Sequence, residues 1–135
     1  MNAKQSLRTG TKRVIRAMSP CGGFLALFED DGSTGYFYAL NAHGEDRKIL
    51  DLLCIYLLEQ VAEDAEQHKV QIQWSEDGLR VMLKIDDYPH AVFDFAGKQG
   101  YCRMNYPNVP RRFGDDWHCE DHKWSDDVLR WFRVS

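Results

Sequence analysis

The stretch Phe24–Leu40, FLALFEDDGSTGYFYAL, decides how the rest of the chain is read. Aromatic and aliphatic residues flank an Asp-Asp-Gly turn. That pattern predicts a β-hairpin with Phe24–Phe28 and Gly35–Leu40 as its arms. The same segment sets three adjacent carboxylates, Glu29, Asp30 and Asp31, at or beside the tip. It speaks about fold and surface and carries no catalytic signature.

Downstream the period of two continues. Val70, Ile72 and Trp74 alternate with Gln71 and Gln73, and Leu79, Val81, Leu83 and Ile85 alternate with Arg80, Met82 and Lys84. His90–Phe95 places Ala91, Phe93 and Phe95 on one face, and Tyr101–Asn105 follows a Gly-rich turn. Short strands joined by the turns Ser75-Glu76-Asp77-Gly78 and Asp86-Asp87-Tyr88-Pro89 make an antiparallel meander. Upstream, Thr11–Met18 predicts a further strand, broken by Ser19-Pro20-Cys21-Gly22-Gly23. Asp46–Ala65 predicts a helix by its length and its Glu/Gln-rich end. Within it Leu52–Leu58 is apolar on every side, and Leu53–Leu58 also suits a buried strand. Ser125 is an N-cap, Asp126 and Asp127 fill the first turn, and Val128, Leu129, Trp131 and Phe132 would dock a short C-terminal helix. The expected fold is α+β: one domain over residues 1–135, an antiparallel meander packed by one or two helices, with residues 1–10 as a flexible basic arm.

Composition narrows the classes. A chain of 135 residues that is 44% hydrophobic can bury a real core. Its longest apolar run, Leu52–Leu58, is far short of the roughly 20 residues of a membrane helix. The start lacks the apolar segment of a secretion signal. Cys21, Cys54, Cys102 and Cys119 are scattered without a CxxC pair, so they read as free thiols in a reducing cytoplasm. The net charge of −4 is uneven: Lys4, Arg8, Lys12, Arg13 and Arg16 precede any acid. The remaining 119 residues hold 12 basic and 21 acidic groups, a balance of −9. An acidic body argues against nucleic acid and suits a basic protein partner.

Chemistry-bearing residues are few. His118 and His122, in WHCEDH, stand four apart and could share a helical face as a metal pair, although a further ligand at matching spacing is missing. The competing reading is a polar loop whose imidazoles bond to backbone. Cys102 with His90 forms a nucleophile pair on paper only, because Cys102 lies in a strand pattern where it packs. The acid pairs Asp30-Asp31, Asp86-Asp87, Asp115-Asp116 and Asp126-Asp127 suit turns, loops and a helix start better than acid–base catalysis. No phosphate loop, dinucleotide fingerprint or GxSxG elbow occurs, and no cofactor is implied.

Three stretches carry a resemblance: FEDDGSTGYFYAL, WSEDGLRVMLKIDDYPHAVFDF with GYCRMNYP, and HKWSDDVLRWF. They resemble a family of small bacterial proteins known only as a conserved domain of unknown function, over most of the chain beyond about residue 24. The resemblance implies a bacterial, cytoplasmic, stand-alone domain and carries over no catalytic residue. The function expected is therefore non-enzymatic protein binding by a monomer or homodimer. An immunity-type protein that neutralises a basic toxin such as a nuclease is the sharpest form of that expectation. Glu29, Asp30, Asp31, Tyr36 and Tyr38 form its first contact patch, and Asp86, Asp87 and Tyr88 a second. The alternatives are a small metal-dependent hydrolase using His118 and His122, or a small-molecule-binding regulatory module.

Overall fold

The computed structural model describes residues 2–7, 11–42, 48–57, 68–103 and 122–132. The central hairpin forms as its sequence requires. Strand β3 (Phe24–Asp30) pairs with β4 (Thr34–Asn41), with Leu27 opposite Tyr38 and Glu29 opposite Tyr36. Strand β2 (Arg13–Met18) borders β3, and β5 (Ile49–Leu57) borders β4, giving a four-stranded sheet in the order β2-β3-β4-β5. A second sheet is the expected meander: β6 (His68–Trp74), β7 (Arg80–Ile85), β8 (Tyr88–Asp94) and β9 (Gln99–Cys102). Strand β1 (Ala3–Leu7) adds to β6 at its edge, so the order is β1-β6-β7-β8-β9. All these pairings are antiparallel.

The α+β expectation is overturned. Among the described residues nine strands in two sheets make a nearly all-β sandwich with one helix, a 3₁₀ helix at Asp126–Phe132. The segment read as a helix, Asp46–Ala65, contains β5 instead. Its apolar run is a strand: Leu53, Ile55 and Tyr56 join the core shared by the sheets, and Cys54 between them is buried as well. The rest of that segment, residues 46–47 and 58–65, lies outside the described residues. Ala3–Leu7, read as part of a basic arm, is paired strand β1.

Each sheet contributes one face to a shared core. Ile15, Ala26, Phe28, Phe37 and Leu53 come from the first sheet, and Ile72, Trp74, Val81, Leu83 and Phe93 from the second. Aromatic rings cross the interior: Phe37 stacks on Phe93 at 4.9 Å, and Phe24 and Trp74 flank Phe95 at 4.3 and 5.6 Å. Strand β1 lies beside β2, and β5 beside β8 and β9, so the two sheets meet at both edges. The 3₁₀ helix covers the outer face of the second sheet. Val128 is buried against Met82 and Val92, with Tyr101, Trp124, Leu129, Trp131 and Phe132 around it. Ser125 begins this helix as its sequence predicts, its Oγ accepting the Asp127 N–H at 3.3 Å.

Two contacts set the relative direction of the sheets. Ser19 Oγ donates to the Gly78 carbonyl at 2.6 Å, and Phe24 stacks on Phe95. They join the turn before β3 and the start of β3 to the β6–β7 and β8–β9 ends. The β3–β4 tip and the β7–β8 turn therefore lie at the other end of the sandwich together.

Candidate functional site

Alternation along β3 decides the fate of the three hairpin carboxylates. Ala26 and Phe28 point into the core, and Asp30 follows them inward to 1% exposure. There its Oδ1 accepts the Gly32 N–H at 2.8 Å and its Oδ2 accepts the Tyr56 hydroxyl at 2.5 Å. Burial, with Asp30 beside it, pushes the Tyr56 hydroxyl far above the usual phenol range. Asp30 is thus an internal residue, which corrects its reading as a contact residue. Gly35 belongs to the same arrangement: a Cβ there would lie 2.6 Å from the Tyr56 ring, so only glycine lets the ring lie flat on β4.

Glu29, Tyr36 and Tyr38 take the opposite face. Tyr38 donates its hydroxyl to Glu29 at 2.9 Å, and the two tyrosine rings sit 6.1 Å apart. Burial first, then the Glu29 carboxylate, raises the Tyr38 hydroxyl well above its ordinary value, so it stays a donor. Val14 and Arg16 of β2 face Glu29 and Leu27 on this surface. Asp31 stands exposed at the tip, where its Oδ1 accepts the backbone N–H of Ser33 and of Thr34, both at 2.9 Å. Those bonds hold its carboxyl below the usual carboxylate range. The expected first patch is thus a pair of half-buried tyrosines, a carboxylate tied to one of them, and an ionised Asp31.

The second expected patch is internally answered. Asp86 and Asp87 form a two-residue turn with φ of 53° and 65°, the primed geometry that Asp tolerates. Asp86 Oδ2 meets His68 Nδ1 at 2.6 Å, and Asp87 meets Lys69 Nζ at 2.8 Å. His68 and Lys69 hold the respective carboxyls low. Tyr88 is 51% exposed, with the Arg103 guanidinium over its ring.

Of the metal candidates, His118 lies outside the described residues. His122 is committed to protein: its Nε2 lies 3.0 and 2.9 Å from the two carboxylate oxygens of Asp51, which is 1% exposed. Among the described residues no three His, Cys, Asp or Glu side chains are grouped to hold a metal ion. Cys102 and His90 are not a pair. Cys102 packs in the core while His90, one residue earlier than its register partner Ala91, faces outward. Cys21, Cys54 and Cys102 are thiols, and burial lifts Cys54 to about 11, with Cys102 adding to the effect. The Asp51–His122 pair escaped sequence reading because its partners are 71 residues apart. Among the described residues no helix is long and apolar enough to cross a membrane.

Comparison with known proteins adds lineage and no activity. A Haemophilus influenzae (strain Rd) protein described as "uncharacterized protein" is 45% identical over 84 residues, which is 62% of this chain and 52% of that protein. The chain thus matches about half the length of this curated relative. No solved structure matches. A bacterial family profile matches residues 7–133, nearly the whole chain. On that match the chain belongs to the family described as "uncharacterized protein conserved in bacteria (DUF2251)".

Proposed function

We propose that this chain is a non-enzymatic protein-binding domain that holds a basic partner on the outer face of the β3–β4 hairpin. The observation that carries this reading is the cluster of Tyr36, Tyr38 and Glu29 on one outer face, adjoining the exposed Asp31 carboxylate. Half-buried tyrosines present large, rigid, amphipathic area, the chemistry of interface anchors. Carboxylates around them speed encounter with a cationic surface. Arg16 of β2 also lies on this face, opposite Leu27; on this reading the aromatic rings supply affinity and the acids supply orientation. The finer form of the proposal is an immunity-type role in the cytoplasm, with the carboxylates standing in for phosphate at a basic toxin such as a nuclease.

The test is paired capture from a lysate of the host. Tagged wild type, Tyr36→Ala/Tyr38→Ala and Asp31→Asn are compared at equal loading, after circular dichroism confirms folding. Asp31→Asn keeps the oxygen that organises the turn and removes the charge. The expected result is one stoichiometric basic protein on wild type, lost from the tyrosine variant and held less tightly by Asp31→Asn. Equal retention by all three proteins sinks the assignment.

A further inference from the structure

Arg103 sits in an arrangement that a surface arginine does not need for solubility. Its guanidinium lies 4.5 Å from the Tyr88 ring centroid and 4.2 Å from that of Trp124, so aromatic faces contact it from two elements. Its Nε donates to the Pro89 carbonyl at 2.6 Å, and its backbone N–H donates to the His90 carbonyl at 3.1 Å. Side chain and backbone are both anchored. Rotamer freedom, the usual cost of recruiting an arginine to a ligand, is already removed.

Among the described residues the hydrogen-bonding capacity of the cluster is not filled. Among the described residues the terminal nitrogens have an ion-pair partner in Asp126, whose Oδ1 lies 3.6 Å from Nη2, beyond a good hydrogen bond. Asp126 is 79% exposed and gives that same oxygen to the Trp124 indole N–H at 2.7 Å. Its carboxylate is oriented by Trp124, not by Arg103. Neither His90 ring nitrogen has a hydrogen-bond partner among the described residues, and the ring meets the edge of Tyr88 at 5.2 Å.

Register brings these groups onto one face. Ala91 pairs with Cys102, so His90 and Arg103 stand opposite each other, and side chains so placed are about 5 Å apart at Cβ. Tyr88 is two residues before His90, with a register irregularity between them, yet its ring sits 5.2 Å from that of His90 and under the Arg103 guanidinium, and Trp124 packs on that face from the segment before the 3₁₀ helix. The neighbouring acids are largely answered: Asp86 by His68, Asp87 by Lys69.

We propose that the Arg103 fork, clamped between Tyr88 and Trp124 and flanked by His90, is a recognition site for an oxyanion, a carboxylate or a phosphate group. Two N–H groups of a planar fork donate bidentately to such an anion. Asp126 is the built-in competitor, near enough to weaken the site. This site lies on the second sheet, on the opposite side of the sandwich from the Tyr36–Tyr38 surface, and is independent of it.

The experiment is an NMR titration of the full ¹⁵N-labelled chain with sodium phosphate and, separately, sodium acetate. Ionic strength is held constant with chloride. The Arg103 Nε–H and Trp124 indole N–H resonances are followed. Saturable shifts in both are expected in wild type and none in Arg103→Gln. Asp126→Asn retains an acceptor for Trp124, removes the competing charge, and should bind about threefold to tenfold tighter. Tighter binding of phosphate than acetate assigns a phosphoryl group, and the reverse assigns a carboxylate. A purely structural Arg103 gives no saturable shift in wild type or Asp126→Asn, which overturns the proposal. Saturation that survives in Arg103→Gln, or that Asp126→Asn leaves unchanged, overturns it as well.

Discussion

At the scale of residues, neighbouring identical side chains do opposite work. Asp30 is sealed in and bonded to Tyr56, while Asp31 caps the turn from solvent. Tyr56→Phe removes a hydroxyl donor from a buried carboxylate and should cost about 1–3 kcal/mol of stability in urea denaturation. An unchanged midpoint would mean that Asp30 does not depend on that bond. His90 gives a second prediction. Burial, then the nearby Arg103 charge, lowers its pKa below the ordinary 6.5. As pH falls, the unfolded chain takes up this proton first. The group's contribution to stability is whole above pH 6.5 and is lost as pH falls toward the folded value. Imidazole resonances should titrate with a midpoint below 6.5, and one at or above it contradicts the burial.

At the scale of elements, what the sequence disclosed depended on whether one face of each strand met the core and the other did not. The hairpin and the meander have that asymmetry, so their alternation was readable, as was the Ser125 cap. Alternation from Ala26 and Phe28 also carries the signal that Asp30 points inward, but the Asp-Asp-Gly turn pattern equally suits an exposed tip. Ile49–Leu57 lacks the asymmetry: apolar residues cover both its faces and two irregularities interrupt its register with β4, erasing the period that separates strand from helix. Ala3–Leu7 is short and mostly polar, and it becomes a strand only because β6 offers it an edge. The Tyr56 ring on Gly35 supplies a test of β5 as placed. Gly35→Ala forces a methyl to within 2.6 Å of that ring and should destabilise by about 1–3 kcal/mol. A neutral Gly35→Ala would show that β5 does not lie against β4 in this register.

At the scale of the whole molecule, two sheets must be held together at edges that local patterns do not reveal. The Asp51–His122 pair does this between β5 and the segment beside β9. Cys102 N–H donates to the His122 carbonyl at 2.8 Å, and a Cβ on Gly100 would lie 2.6 Å from Asp51 Oδ2. His122→Ala leaves a buried carboxylate without its imidazole and should cost about 2–3 kcal/mol. Amide exchange should quicken first in β5 and β9, and uniform quickening would contradict a local latch. The sandwich also separates its two outer faces: the second sheet carries the 3₁₀ helix and the Arg103 cluster, while the first carries Tyr36, Tyr38 and Glu29. On the proposed readings the two faces divide the labour of binding, a protein partner on the first sheet and an oxyanion on the second. The most direct test of this division is hydrogen–deuterium exchange of the chain with and without its captured partner. Protection concentrated in 25–40, with 80–94 unchanged, is the predicted result. Protection confined to 80–94, or absent from 25–40, would contradict it.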